Sequence, residues 1–156
     1  MNPWKEKPMK RFLALAGIAL MLAAPASAHS TPDEDANRAL VLRFYDAVVN
    51  AKDVEAARSM VGEQYIQHNP QAADGVAGME KFIAFLKGSF PDARSEVKRS
   101  FVDGNHVILH VLSRRVPGER GRAIMEIFRV SDGKVAEHWD VIQDVPETAL
   151  NTNTMF

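Results

Sequence analysis

Glu126, His138 and Asp140 are ionisable residues set inside strand patterns that are otherwise apolar, Ile124-x-Glu126-x-Phe128 and Ala136-x-His138-x-Asp140-x-Ile142. A carboxylate or imidazole on a buried face is costly unless it is paired, hydrogen-bonded or used in chemistry. Brought together, the three could hold and move a proton. Desolvation raises a carboxyl pKa so that the group can donate, and a nearby histidine works close to neutral pH. The bland alternative is a structural ion pair. His110 sits in a third strand of the same kind, Ile108-x-His110-x-Leu112, and by itself reads as a hydrogen-bonded core or pocket-wall histidine. His68 and Asn69 lie in an irregular segment before Pro70, where functional side chains concentrate.

Whether these groups meet depends on the turn at Ser131-Asp132-Gly133-Lys134. Asp-Gly between two strand patterns is a strong hairpin signal. A strict two-residue turn sets Glu126 opposite Trp139, whereas a three-residue turn with a bulge at Gly133 sets it opposite His138 and puts Ile124 opposite Asp140. The bulged form is the expectation, because it gathers the ionisable groups on one side and leaves Met125 and Trp139 on the other.

The elements that must carry them follow from capping and periodicity. Thr31-Pro32-Asp33-Glu34 is a capping box with proline at the first helical position, opening a helix to about Asn50 whose wide apolar face includes Leu40, Val41, Phe44 and Tyr45. Asp53 caps a short helix to about Met60, with Gly62 as its stop, and Tyr65 to Asn69 is a short extended piece ended by Pro70. A third helix carries Val76, Met79, Phe82, Ile83 and Leu86. From residue 93 the period becomes two, predicting strands over 93–102, 106–115, 120–130 and 134–143. Helices followed by hairpin-connected strands make an α+β domain. His106–Arg115 is apolar on both faces, so the sheet is expected to be covered on both sides, by the helices and by a second subunit in a homodimer. The apolar end Met155-Phe156 is expected to dock.

Residues 1–28 have the layout of a cleavable signal: a basic start, the apolar run Phe12 to Ala24, and the small-residue site Ala26-Ser27-Ala28. The mature domain is expected to span residues 29–156 and to be periplasmic or secreted. Without the leader the chain keeps 15 basic and 19 acidic residues, a balance that argues against nucleic acid or an anionic membrane as partner. The absence of cysteine excludes disulfides, thiol catalysis and thiolate metal sites. His68, His110, Glu126, His138 and Asp140 are of metal-ligand type, but no short spacing such as His-x-x-x-His is present, and no metal or cofactor is expected. His29 could bind copper through the new amino terminus but reads more simply as an accident of the cleavage site. Arg114, Arg115, Arg120 and Arg122 flank one loop and read as a solvated strand end.

The run Tyr65-Ile66-Gln67-His68-Asn69-Pro70, together with Gly133-Lys134-Val135-Ala136-Glu137-His138-Trp139-Asp140-Val141, resembles the SnoaL-like branch of the nuclear-transport-factor-2-like superfamily. The resemblance covers essentially the whole mature chain. It implies a cone: a curved mixed sheet wrapped around about three helices, with a pocket at the open end and dimerisation through the outer sheet face. It also implies a choice of chemistries. In the related polyketide cyclases a carboxylate at the end of the sheet drives intramolecular aldol closure, and Asp140 is its counterpart by type and strand. In the similar ketosteroid isomerases, Tyr45 and Glu126 fall where an oxyanion-hole tyrosine and a protonated acid stand, but the base before the proline is here Asn69, which takes no proton. The expected function is cofactor-independent acid–base catalysis on a carbonyl compound. Asp140 would be the acid/base, with His138, Glu126 and His68 in the proton chemistry and Tyr45, Asn69 and His110 holding substrate. The competing expectation is a hydrophobic-ligand binding module without chemistry.

Overall fold

The computed structural model describes residues 30–156; the expected signal segment and His29 lie outside them. Helix α1 (Pro32–Tyr45) opens on the expected capping box. Thr31 Oγ1 accepts from the Glu34 amide at 3.2 Å, and Glu34 Oε2 accepts from the Thr31 amide at 2.7 Å. The helix does not continue as α to Asn50: Asp46–Ala51 widens to π-helix and ends at Lys52, whose φ is 54°. The wider turn lets the Asn50 side chain grip both backbone atoms of Ser95, with Nδ2 to the carbonyl at 3.0 Å and Oδ1 from the amide at 2.8 Å. This clamp ties the helix end to the start of the sheet.

Helix α2 (Val54–Met60) starts where Asp53 Oδ1 accepts from the Ala56 amide at 3.1 Å. It passes straight into strand β1 (Val61–Gln67), so Gly62 is a strand residue and not the expected helix stop. Helix α3 (Gly75–Ser89) buries Met79, Ile83 and Leu86. A Cβ on Gly78 would lie 1.9 Å from the Ala73 carbonyl oxygen, so only glycine permits this close approach. Strands β2 (Arg94–Asp103), β3 (His106–Arg114), β4 (Arg122–Ser131) and β5 (Lys134–Asp144) follow as antiparallel neighbours.

The sheet order is β1-β5-β4-β3-β2, with β1 parallel to β5 at the edge. The helices lie on its inner face, as expected of an α+β cone. Val107, Leu109 and Val111 are fully buried there against residues of α1, including Val41 and Phe44. Burial of each such side chain contributes about 1.5–3 kcal/mol, so β3 is a firm floor for its neighbour β4. The outer face carries Phe101, Met125 and Val141, which are exposed, and is crossed at one end by the chain terminus, where Phe156 stacks on His110 at 5.3 Å between ring centroids. The expected docking of the terminal apolar residues is therefore onto the outer sheet face. Among the described residues no helix is long and apolar enough to cross a membrane.

Candidate active site

The β4–β5 hairpin decides which side chains meet. Asp132 and Gly133 both have positive φ, 52° and 68°, which makes the connection a two-residue type I′ turn and not the expected three-residue form. Val130 pairs with Val135, and the ladder then slips so that Arg129 faces Glu137 and Ala136 is left over. That slip sets Phe128 opposite His138 and Glu126 opposite Asp140, a register that neither turn alternative contained. Glu126, His138 and Asp140 do share the inner face, but a bulge at Ala136 brings this about and not one at Gly133. Trp139 points outward with Ile127 and Met125.

Two amides fix the protonation pattern of this cluster. The Asn69 backbone N–H donates to Gln67 Oε1 at 2.9 Å, which defines that atom as oxygen, and the same oxygen faces His138 Nδ1 at 2.8 Å. His138 Nδ1 must therefore carry a hydrogen. Its Nε2 lies 2.7 Å from Glu126 Oε2, so one proton is shared between imidazole and carboxyl. Likewise the Gln71 amide donates to Asn69 Oδ1 at 2.8 Å, leaving Asn69 Nδ2 to donate to Asp140 Oδ2 at 2.6 Å. Tyr45 Oη completes the network by donating to Glu126 Oε1 at 3.0 Å.

Burial grades the cluster from back to front. Glu126 is 5% exposed, His138 8% and Tyr45 5%, while Asp140 is only half-buried and is the member a ligand can reach. His138 also stacks on Phe128, at 4.6 Å between centroids, and Tyr45 meets the same ring edge-on. Burial, reinforced by the Glu126 carboxyl, pushes the Tyr45 phenol well above its ordinary pKa, and burial does the same to Tyr65. Among the described residues, ligating atoms of Glu126, His138 and Asp140 lie within 4.8 Å of one another, close enough to hold a metal ion. An ion there would have to displace the Glu126–His138 hydrogen bond, since both atoms are already spent on each other.

Two expected members of the site are elsewhere. His68 is on the outer face, stacked nearly parallel on Trp139 at 4.6 Å, with Nε2 2.7 Å from Glu137 Oε1. Arg129 Nε donates to the other Glu137 oxygen at 2.7 Å, and these two hydrogen bonds, His68 first, hold the Glu137 carboxyl below its usual pKa. His110 faces outward too, opposite Met125 and under Phe156. Both corrections have one cause: successive strand residues alternate faces, and the inner positions are taken by Gln67 and Leu109. Gln67, the clamp on His138, was missed. The alternation Tyr65-x-Gln67 puts it on the face of a buried tyrosine, but only the pairing of β1 with β5 brings it to His138.

The comparisons with known proteins agree with this architecture. A candidate ketosteroid isomerase from Kribbella flavida superposes with a TM-score of 0.63 at 22% identity, covering 76% of this chain and 86% of that one. A candidate SnoaL-like polyketide cyclase from a Jannaschia species gives 0.60 at 24% identity, covering 73% and 90%. TsrD from Streptomyces laurentii gives 0.60 at 20% identity, covering 72% and 91%. At these identities the likeness establishes the fold alone. No curated protein sequence matches the chain. The profile of the SnoaL-like domain matches residues 41–138, from within α1 to His138 and more than half of the sequence, so the chain belongs to the SnoaL-like domain family.

Proposed function

We propose that the protein is a cofactor-independent acid–base enzyme that removes a proton next to a carbonyl, with aldol closure or isomerisation following. The observation that carries this reading is the Asp140 carboxylate: half-buried on the inner face, held through one oxygen by Asn69 Nδ2 at 2.6 Å. Its other oxygen is left for a substrate C–H. Behind it, Glu126 and His138 share a proton and Tyr45 supplies a phenol that stays protonated, a set able to balance charge as an enolate forms. Asn69 in this reading fixes the base and does not replace it. His68 and His110, facing away, take no part. The kinship with candidate cyclases and isomerases supports an enzyme of this kind without naming a substrate.

The test is solvent-deuterium exchange. An aryl β-keto ester incubated with the protein in D2O should exchange its α-proton faster than in buffer, and Asp140→Asn should remove the excess while leaving the fold intact. Equal exchange by wild type and Asp140→Asn refutes the assignment. A non-catalytic ligand carrier is the second reading, favoured by one observation: Glu126 and His138 are both buried, and among the described residues neither lines the cavities of about 350 and 360 Å³ near Arg120. Retention of an unaltered hydrophobic ligand through purification, seen by native mass spectrometry, with no exchange activity, would establish it.

Export and dimerisation belong to the same proposal. The leader pattern supports cleavage near Ala28, checked by the intact mass of protein recovered from the periplasm. Exposed Val141, Phe101 and Met125 support a homodimer through the outer sheet face, checked by light scattering.

A further inference from the structure

Arg115 and Arg122 stand apart from the other basic residues of their loop. Arg114 Nε donates to the Glu119 carbonyl at 3.0 Å, and Arg120 donates to the Pro146 carbonyl at 2.9 Å and to Glu147 at 3.3 Å. Among the described residues, the guanidinium groups of Arg115 and Arg122 make neither a hydrogen bond nor an ion pair. Both line one cavity of about 360 Å³, with Arg120, Gly121, Glu119 and Asp144. Glu119 is committed, its carboxylate accepting from the Arg115 backbone amide. Asp144, the register partner of Arg122, is exposed to solvent and forms no ion pair with it. Arg115 lies over the Phe90 ring, 5.0 Å from its centroid, a contact that leaves its N–H groups without an acceptor.

Arg122 is not the solvated strand-end residue that its sequence position suggested. It is half-buried and lies on the same strand and the same inner face as Ile124 and Glu126. Burial first, and then the neighbouring Arg115 charge, lower its pKa. Glu119 and Asp144 offset the mutual repulsion of these two partly desolvated guanidinium groups only in part, and neither carboxylate hydrogen-bonds to them, so an oxyanion could bridge both. Four residues of strand separate Arg122 from Glu126, roughly 13 Å at the usual rise.

We propose that Arg115 and Arg122 form an oxyanion subsite at the mouth of the inner face, so that the ligand carries a carboxylate or phosphate group roughly 13 Å from its reacting end. The placement of the subsite relative to Asp140 rests on the reading of the inner face as the substrate site; the subsite itself is tested by binding alone. Isothermal titration calorimetry on the full domain would compare naphthalene-2-carboxylate and 1-naphthyl phosphate with uncharged naphthalene-2-carboxamide. The expected result is that one or both anions bind the wild type more tightly than the carboxamide. Arg115→Gln and Arg122→Gln should each weaken the anion by about 10- to 100-fold, the worth of a charged hydrogen bond, and leave the carboxamide unchanged. The better anion identifies the group. Equal binding of anion and carboxamide, or unchanged anion binding in both variants, overturns the subsite. Should Arg122→Gln fail to fold, Arg115→Gln decides alone, because among the described residues its guanidinium packs on Phe90 and makes no hydrogen bond or ion pair whose loss would unfold the chain. Selective anion binding without any α-proton exchange would support the subsite while refuting acid–base catalysis, so the two failures are separable.

Discussion

Replacing Glu126 tests the hydrogen-bond logic at the centre of the site. Glu126→Gln keeps the shape of the side chain and both of its partners. The amide oxygen can accept from Tyr45 Oη, now 3.0 Å from Oε1, and the amide nitrogen can donate to His138 Nε2, now 2.7 Å from Oε2. This works only because Gln67 holds the hydrogen on His138 Nδ1 and so leaves Nε2 as an acceptor. With every buried polar group still satisfied, the cost should be about 1 kcal/mol or less. Glu126→Ala instead strands the phenol and the imidazole, each costing about 1–3 kcal/mol, and opens a cavity, for a total of about 3–5 kcal/mol. Urea unfolding followed by circular dichroism reads the difference, with the slope against urea as a check that only stability has changed. If Glu126→Gln loses as much as Glu126→Ala, His138 does not carry its hydrogen on Nδ1 and Gln67 is not its acceptor.

Other outcomes follow from the same geometry. Asn69→Asp would put a second carboxylate where Nδ2 now lies 2.6 Å from Asp140; the pair should share a proton, and the acid limb of the pH profile for α-proton exchange should move up by about one unit or more. Both tyrosines of the chain are buried with phenol pKa values raised above the ordinary 10.0. Because the unfolded chain releases those protons first, this part of the stability is intact below pH 10 and is lost as pH climbs above it; tyrosinate absorbance should therefore appear together with unfolding, and its appearance in the folded protein would contradict the burial. His68→Ala should change Trp139 emission, by removing the ring stacked 4.6 Å away, and leave the exchange rate unaltered; a large loss of activity would return His68 to the site.

The proposed exchange chemistry would place a demand on the fold that its parts meet in different ways. Asp140 needs a fixed direction, which Asn69 supplies from the segment after β1, and Asn69 is itself pinned by Pro70 and the Gln71 amide. Glu126 needs partners, which come from a helix 81 residues away in sequence and from the facing strand. The π-helical turn after Tyr45 and its Asn50 clamp on Ser95 tie the tyrosine's helix end to the sheet.

What the sequence determined by itself was local. The capping box at Thr31, the cap at Asp53 and the Asp-Gly turn are hydrogen-bond chemistry within a few residues, and all three are present in the structure. So is the layout of helices followed by strands, because apolar period reports which side of an element leaves water. The suspicion that fell on Glu126, His138 and Asp140 was equally local, since an ionisable residue in an apolar pattern is visible without knowing its partner. Only the tertiary structure decided the rest. The Ala136 bulge turns the whole outer half of β5, and nothing in the hairpin's own residues distinguishes it from a bulge at Gly133. The parallel pairing of β1 with β5 brings Gln67 to His138 across 71 residues and sends His68 to the opposite face, where it meets Trp139 and Glu137. Side-chain chemistry is written residue by residue, but the face on which it acts is set by a partner strand far away along the chain.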